Sequence, residues 1–214
     1  MDMPVNEKQT SGSALYQRVQ YQKGGIGRRY WDYKDNIVLG EINEQDNTIL
    51  DIGCGEGIML EKLIRHYPHK KIIGLDIMPE NIQICTNLGL PIQLGDIYHL
   101  DIPNNSIDVV ILMEVIEHLL DPSRAVKEII DALKPGGKLI IVFPNDASFL
   151  LARILTLKFK EALYDPGHQK QWTHRKIREL LRSTGLETNR SISIPFWFWP
   201  ISLHGVTIAL KQEN

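Results

Sequence analysis

Between residues 48 and 144 the apolar residues collect in short runs, "TILDIG", "KIIGLDI", "PIQLGD", "IDVVILM" and "KLIIVFP", each bounded by polar or Gly/Pro-containing stretches. Runs this short, rich in Ile, Leu and Val, read as strands covered on both faces. Between them the apolar spacing lengthens to a helical period over residues 58–67, 79–88 and 122–133. The third segment has Asp121 at the cap, Pro122 in the first turn and Pro-Gly-Gly at its close. Strands alternating with helices predict an α/β fold whose parallel sheet carries helices on both faces.

Upstream, "GRRYWDYKDNIVLGEI" reads as an aromatic-rich helix, preceded by a flexible polar arm over residues 1–26. Tyr30 and Trp31 place aromatic rings where that helix can cover a ligand. After Pro144 the rhythm changes. "DASFLLARILTLKFKEALY" is amphipathic and reads as a lid-like insertion at 147–170, followed by a helix in "WTHRKIRELLRSTG". The tail offers two more strands joined by the aromatic "PFWFWP", so residues 27–214 form one domain.

The chain has 214 residues, 43% hydrophobic and 23% charged, which suits one soluble domain with a sizeable core. A net charge of −2 supplies no field for nucleic acid, which argues for a small-molecule substrate. Cys54 and Cys85 have no paired spacing, the N-terminus lacks an apolar leader, and no run reaches membrane-span length. The expectation is a cytoplasmic protein. Basic and apolar residues mixed over 147–160 also suit a peripheral membrane contact, beside the reading as a lid.

The candidate chemistry begins at "LDIGCGEGIML", a strand, a turn with Gly53, Gly55 and Gly57, and a helix. Such glycines permit backbone shapes and close ligand approach that side chains block, but nicotinamide and flavin proteins use similar loops. Asp76 ends the second strand, where its carboxylate can accept from two ribose hydroxyls. Asp96 follows the third, placed to meet an adenine amino group.

With "ILDIGCGEG", "GLDI", "GDI", "IDVVILMEVIEHL" and "LKPGGKLIIVFPN" in this order, residues 48–145 resemble the class I S-adenosylmethionine-dependent methyltransferases. The resemblance implies a Rossmann-like, doubly wound, seven-stranded sheet, mostly parallel with an antiparallel last strand. It also implies S-adenosyl-L-methionine as cofactor, with Asp51 at the ammonium end and Gly53, Gly55 and Gly57 beside the methionine and ribose. Asp76 and Ile77 would meet the ribose, Asp96 and Ile97 would frame the adenine, and Met113 would line the cofactor site.

"MEVIEH" follows the fourth strand, at the edge where open α/β sheets bind ligands. On a helical turn Glu114, Glu117 and His118 would share one face, as a metal site, an acid/base cluster or ordinary helix-start chemistry. The Glu-x-x-Glu-His pattern is similar to that of the ubiquinone-pathway O-methyltransferases. It is also similar to the small-RNA 2′-O-methyltransferases, whose later His-x-x-x-Trp-Thr spacing is matched by His168, Trp172 and Thr173. These resemblances imply a Mg or Mn ion on Glu114, Glu117, His118 and His168. In a metal-free site, Glu114 or His168 would be the catalytic base. His66, His69, His99, His174 and His204 read as surface or structural. The leading expectation is O-methylation of a small, fairly apolar catechol or diol. The alternatives are a metal-dependent RNA ribose 2′-O-methyltransferase and a non-catalytic S-adenosylmethionine-binding module.

Overall fold

The structure, a computed structural model, describes residues 16–145, 148 and 170–213. Two helices, α1 (Tyr16–Gln22) and α2 (Gly25–Leu39), precede the sheet. The alternating region follows as β1 (Thr48–Ile52), α3 (Ile58–His66), β2 (Lys71–Asp76), α4 (Pro79–Asn87) and β3 (Ile92–Leu94). It continues with β4 (Ile107–Met113), a 3₁₀ turn over Ile116–His118, α5 (Pro122–Ala132) and β5 (Leu133–Pro144). Beyond the insertion come α6 (His174–Thr184), β6 (Leu186–Ile194), a second 3₁₀ turn over Trp199–Ile201, and β7 (His204–Lys211).

The strands form one seven-stranded sheet in the order β3-β2-β1-β4-β5-β7-β6. β1 to β5 pair in parallel, whereas β7 runs antiparallel between β5 and β6. The order reverses at β1, so the crevice between the ends of β1 and β4 is the switch point where such sheets hold ligands. β7 starts at that same edge, where His204 pairs with Pro144 on one side and Ile194 on the other.

Successive side chains of the central strands enter opposite cores, as a sheet buried on both faces requires. Leu50, Ile52, Val110, Leu112, Ile141 and Phe143 pack with α5 and α6, while Ile49, Val109, Ile111, Ile140 and Val142 face α2 and α3. Asp51 therefore shares the α2/α3 face with Ile49. α5 is capped by Asp121, whose carboxylate accepts from the Arg124 N–H. Part of the expected flexible arm is ordered: Tyr16–Gln22 is helical because its first amides find a carboxylate, described below. Residues 1–15 of that arm and nearly all of the 147–170 insertion lie outside the described residues. Among the described residues, no helix is long and apolar enough to cross a membrane.

Candidate functional site

The chain leaves β1 through a turn held to β2, with the Gly53 and Cys54 amides donating to the Leu75 carbonyl at 2.7 and 3.3 Å. Gly53 adopts φ 69°, a left-handed conformation, and a Cβ there would collide with Val115 Cγ2. The glycine loop is thus pressed directly against the exit of β4. At Gly57, φ is 75° and a Cβ would lie 2.7 Å from both Cys85 Sγ and Leu90 Cδ1. The protein's own packing demands these two glycines whether or not a ligand approaches them. Cys54 is buried in the loop; burial, then Asp51 and Asp76, push its thiol up, so it is a neutral filler.

Asp76 closes β2 and faces the loop. Its Oδ2 accepts from the Gly55 N–H at 2.8 Å, and its Oδ1 from the Met78 N–H at 2.9 Å and Asn81 Nδ2 at 3.1 Å. A carboxylate has about four acceptor sites, so Oδ2 keeps capacity for one further donor such as a hydroxyl. Ile77 beside it is 63% exposed, a flat apolar surface at the edge. Asp96 accepts from the Tyr98 N–H at 2.9 Å, and Ile97 turns into the core. Met113, at the end of β4, is partly buried against the α2/α3-side core.

Asp51 is 1% exposed, and its Oδ2 has no hydrogen-bond partner among the described residues. Burial, then the charges of Asp35 and Asp76, push its carboxyl up to about 8. A buried acceptor in this state wants a cationic donor. Across the loop, α1 is fixed by Glu56, whose carboxylate accepts from the Gln17 and Arg18 amides at 2.8 and 2.7 Å. Arg18 Nε donates to the Glu56 carbonyl and Nη1 to Glu61. Its Nη2 is buried without a partner among the described residues, and lies 3.7 Å from a Cβ built on Gly57. One unpartnered carboxyl oxygen and one unpartnered guanidinium nitrogen beside the same loop fit a zwitterionic amino-acid group, which is what the methionine end of S-adenosylmethionine presents.

At the exit of β4, Glu114 is left-handed, φ 57°, with its amide bonded to the Val142 carbonyl at 2.9 Å. Its Oε1 is paired with Lys34 Nζ from α2 and lies 3.2 Å from His204 Nε2. His204 Nδ1 in turn meets the Tyr30 hydroxyl at 2.7 Å. Desolvation opposes the charge on Glu114, but Lys34 and His204 outweigh it and hold the carboxyl well below the usual range.

The turn after Glu114 is 3₁₀ rather than α-helical, so the expected common face does not form: Glu117 is buried and His118 exposed. Among the described residues, no three His, Cys, Asp or Glu side chains are arranged to hold a metal. The Lys34 ammonium bonded to Glu114 would repel a dication there, so the described residues do not fit the Mg or Mn site that the resemblance implies. His168, the remaining expected ligand and base, lies outside the described residues. Its expected companions have structural tasks. Trp172 Nε1 donates to the Ile116 carbonyl at 3.2 Å, and Thr173 caps α6 by accepting from the Lys176 N–H.

Sequence reasoning does not single out Arg18, Lys34 or Glu56; of the two readings it gives His204, surface or structural, the 4% exposure excludes the surface one. One signal for α2 was available: Tyr30 and Lys34 are spaced i, i+4 and so share a helix face. Nothing in the sequence joins that face to residue 204.

The methyltransferase-domain family matches residues 27–191. A Mycolicibacterium smegmatis protein named "Probable S-adenosylmethionine-dependent methyltransferase" is 28% identical over 169 residues, covering 77% of this chain and 62% of its own length. The ubiquinone biosynthesis O-methyltransferase of Coxiella burnetii is 32% identical over 105 residues, 46% of this chain and 44% of that one. The match to each relative thus spans less than two thirds of its length. An S-adenosylmethionine-dependent methyltransferase of Thermotoga maritima superposes with a TM-score of 0.70 at 20% identity, covering 93% of this chain and 99% of that one, a likeness of fold. The chain belongs to the methyltransferase-domain family and has the fold of the class I S-adenosylmethionine-dependent methyltransferases.

Proposed function

We propose that the protein transfers the methyl group of S-adenosylmethionine to a hydroxyl of a small, weakly polar acceptor, with catechols and diols the first class to test. The carrying observation is the pair of buried, unpartnered polar atoms at the glycine loop, the acceptor Asp51 Oδ2 and the donor Arg18 Nη2. Asp51 takes the cofactor's ammonium and Arg18 its carboxylate, while Gly53, Gly55 and Gly57 form the turn around it. Asp76 takes a ribose hydroxyl through its remaining acceptor site, Ile77 and Asp96 frame the base, with Ile97 packed in the core behind them, and Met113 lines the floor. The sulfonium supplies an electrophilic methyl group; the protein supplies position and a route for the acceptor's proton.

The acceptor class is supported by the region shared with the Coxiella O-methyltransferase and by an apolar rim. Phe196, Trp197 and Phe198 are exposed on the β6–β7 connection, Trp197 at 91%. That connection is held in shape: Asn145 Nδ2 donates to the Trp199 and Ser202 carbonyls, and Ser148 Oγ to that of Pro200. Rings held there suit an aromatic or alkyl-bearing acceptor better than a polynucleotide.

The test is transfer of radiolabelled methyl from S-adenosylmethionine to catechol, an alkylcatechol and a short RNA, with Mn²⁺ or with EDTA. The expected result is label on the catechols, favouring the alkylcatechol, with EDTA without effect. Label on RNA alone would overturn the acceptor class, and turnover abolished by EDTA would restore a metal to the site.

A further inference from the structure

We propose that Tyr30, His204 and Glu114 form a proton relay that accepts the acceptor's hydroxyl proton, with Tyr30 as the catalytic residue and His204, Glu114 and Lys34 as positioning residues behind it. This rests on the reading of the reaction as methyl transfer to a hydroxyl.

The four side chains come from three places that the fold brings to one edge. Tyr30 and Lys34 lie a helical turn apart on α2, Glu114 at the exit of β4, and His204 at the first position of β7. His204 is fixed from both sides by the ladder, opposite Pro144 of β5 and Ile194 of β6. Val115, adjacent to Glu114, packs on Gly53, so the cluster abuts the cofactor loop. A histidine bonded at both nitrogens is often only structural; this one stands at the ligand-binding edge of the sheet, one residue contact from the glycine turn.

The partners assign the protons. A carboxylate only accepts, so His204 Nε2 carries hydrogen toward Glu114. In the neutral imidazole Nδ1 is then the bare nitrogen, and it accepts from the Tyr30 hydroxyl at 2.7 Å. Burial, followed by Glu114 and Tyr33, pushes the Tyr30 hydroxyl up, so it stays protonated and is the donor of that bond. Lys34 keeps Glu114 ionised. The other titratable groups near this row are Tyr33, whose ring is tilted 35° to that of Tyr30, Asp35, buried on α2 with its charge opposing that of Glu114, and His174, whose ring lies 2.9 Å from a Cβ built on the neighbouring Gly205. His204 is buried, and both ends of the row reach the surface: Glu114 is the more exposed, but its Oε1 is taken by Lys34 and His204, whereas Tyr30, partly exposed, presents a hydroxyl that can take a proton as it passes one on.

The left-handed backbone of Glu114 points the same way. A non-glycine residue held there costs about 1 kcal/mol or more, and such strain persists where the side chain is required. Glycine would relax the turn but lose the anion.

The step balances. The acceptor's O–H bond breaks and its proton passes to the Tyr30 oxygen as the Tyr30 proton moves to His204 Nδ1. The imidazolium formed is neutralised by Glu114. The acceptor oxygen's electron pair forms the new O–CH₃ bond, and the S–CH₃ bond breaks with its electrons left on sulfur.

Two measurements on the full chain test this, the first with S-adenosylhomocysteine bound and the second with S-adenosylmethionine as methyl donor. In nitrogen-15 histidine NMR near neutral pH, His204 is expected as the Nε2–H tautomer, and Glu114→Gln should lower its midpoint by about one unit or more. The Nδ1–H tautomer, or a midpoint unmoved by Glu114→Gln, would overturn the relay. In turnover, Tyr30→Phe should lose about 100-fold with catechol yet at most about 3-fold with 4-nitrocatechol, which is already ionised and needs no base. Equal losses on both acceptors would make Tyr30 structural and refute the relay while leaving methyl transfer in place. Wild-type protein that binds S-adenosylhomocysteine but methylates neither acceptor would instead refute the hydroxyl reading, and the relay's catalytic role with it.

Discussion

Asp51→Asn separates a structural carboxylate from one that awaits a ligand. Burial and the charges of Asp35 and Asp76 raise Asp51 to about 8, so below that pH the cofactor-free protein holds a proton that the unfolded chain, with its ordinary value of about 3.9, has released. The sign follows directly: the folded state binds more protons, so this group makes stability fall as pH rises from about 4 to about 8. The limiting slope is about 1.4 kcal/mol per pH unit. A bound ammonium reverses the preference by stabilising the ionised form. Between about pH 6 and 8, S-adenosylhomocysteine affinity should therefore rise by up to about tenfold per unit, with one proton released per ligand. Calorimetry in buffers of different ionisation enthalpy measures both quantities. Asn at position 51 keeps the shape without the charge. Its affinity should be independent of pH over that range and weaker by about 1.5–3 kcal/mol at pH 8, the worth of a charged hydrogen bond. Its cofactor-free stability should no longer fall across the same window. A pH slope that survives in Asp51→Asn, or wild-type binding without proton release, would refute the assignment.

Other consequences are local. Gly53→Ala should cost about 2–5 kcal/mol, combining a left-handed alanine with overlap on Val115, and adding Val115→Ala should recover part of it in denaturant titrations; no recovery would locate the cost in backbone strain alone. Glu56→Gln weakens two amide bonds that hold α1, so hydrogen exchange in Tyr16–Gln22 should quicken and S-adenosylhomocysteine affinity drop; unchanged exchange would mean that α1 is anchored elsewhere. Trp172→Phe leaves the Ile116 carbonyl short of its indole donor and should cost about 1–3 kcal/mol without changing cofactor affinity; a collapse of cofactor binding would give Trp172 a role in the site.

The fold was legible where one local pattern fixes the outcome. The unbroken runs "IDVVILM" and "KLIIVFP" admit little but strands buried on both faces, and both became central strands. The Asp121-Pro122 start of α5 also followed from local chemistry. "MEVIEH" was legible in place but not in shape. Spacing alone allowed a shared helical face, whereas the exit of β4 forces Glu114 left-handed and tightens the next turn to 3₁₀, which sends Glu117 inward and His118 outward. His204 could not be found from sequence, because its partners are 90 and 174 residues away in the chain and meet only through the antiparallel insertion of β7. Arg18 was hidden for a similar reason. Its segment looks like a polar arm until Glu56 binds its amides.

The most direct measurement is a crystal structure of the protein with S-adenosylhomocysteine. The account predicts the ligand at the ends of β1 and β4, its ammonium on Asp51 Oδ2, its carboxylate on Arg18 and a ribose hydroxyl on Asp76. A ligand seated instead in the apolar groove of about 250 Å³ between α4 and Leu94, or a crevice left empty at saturating concentration, would contradict it.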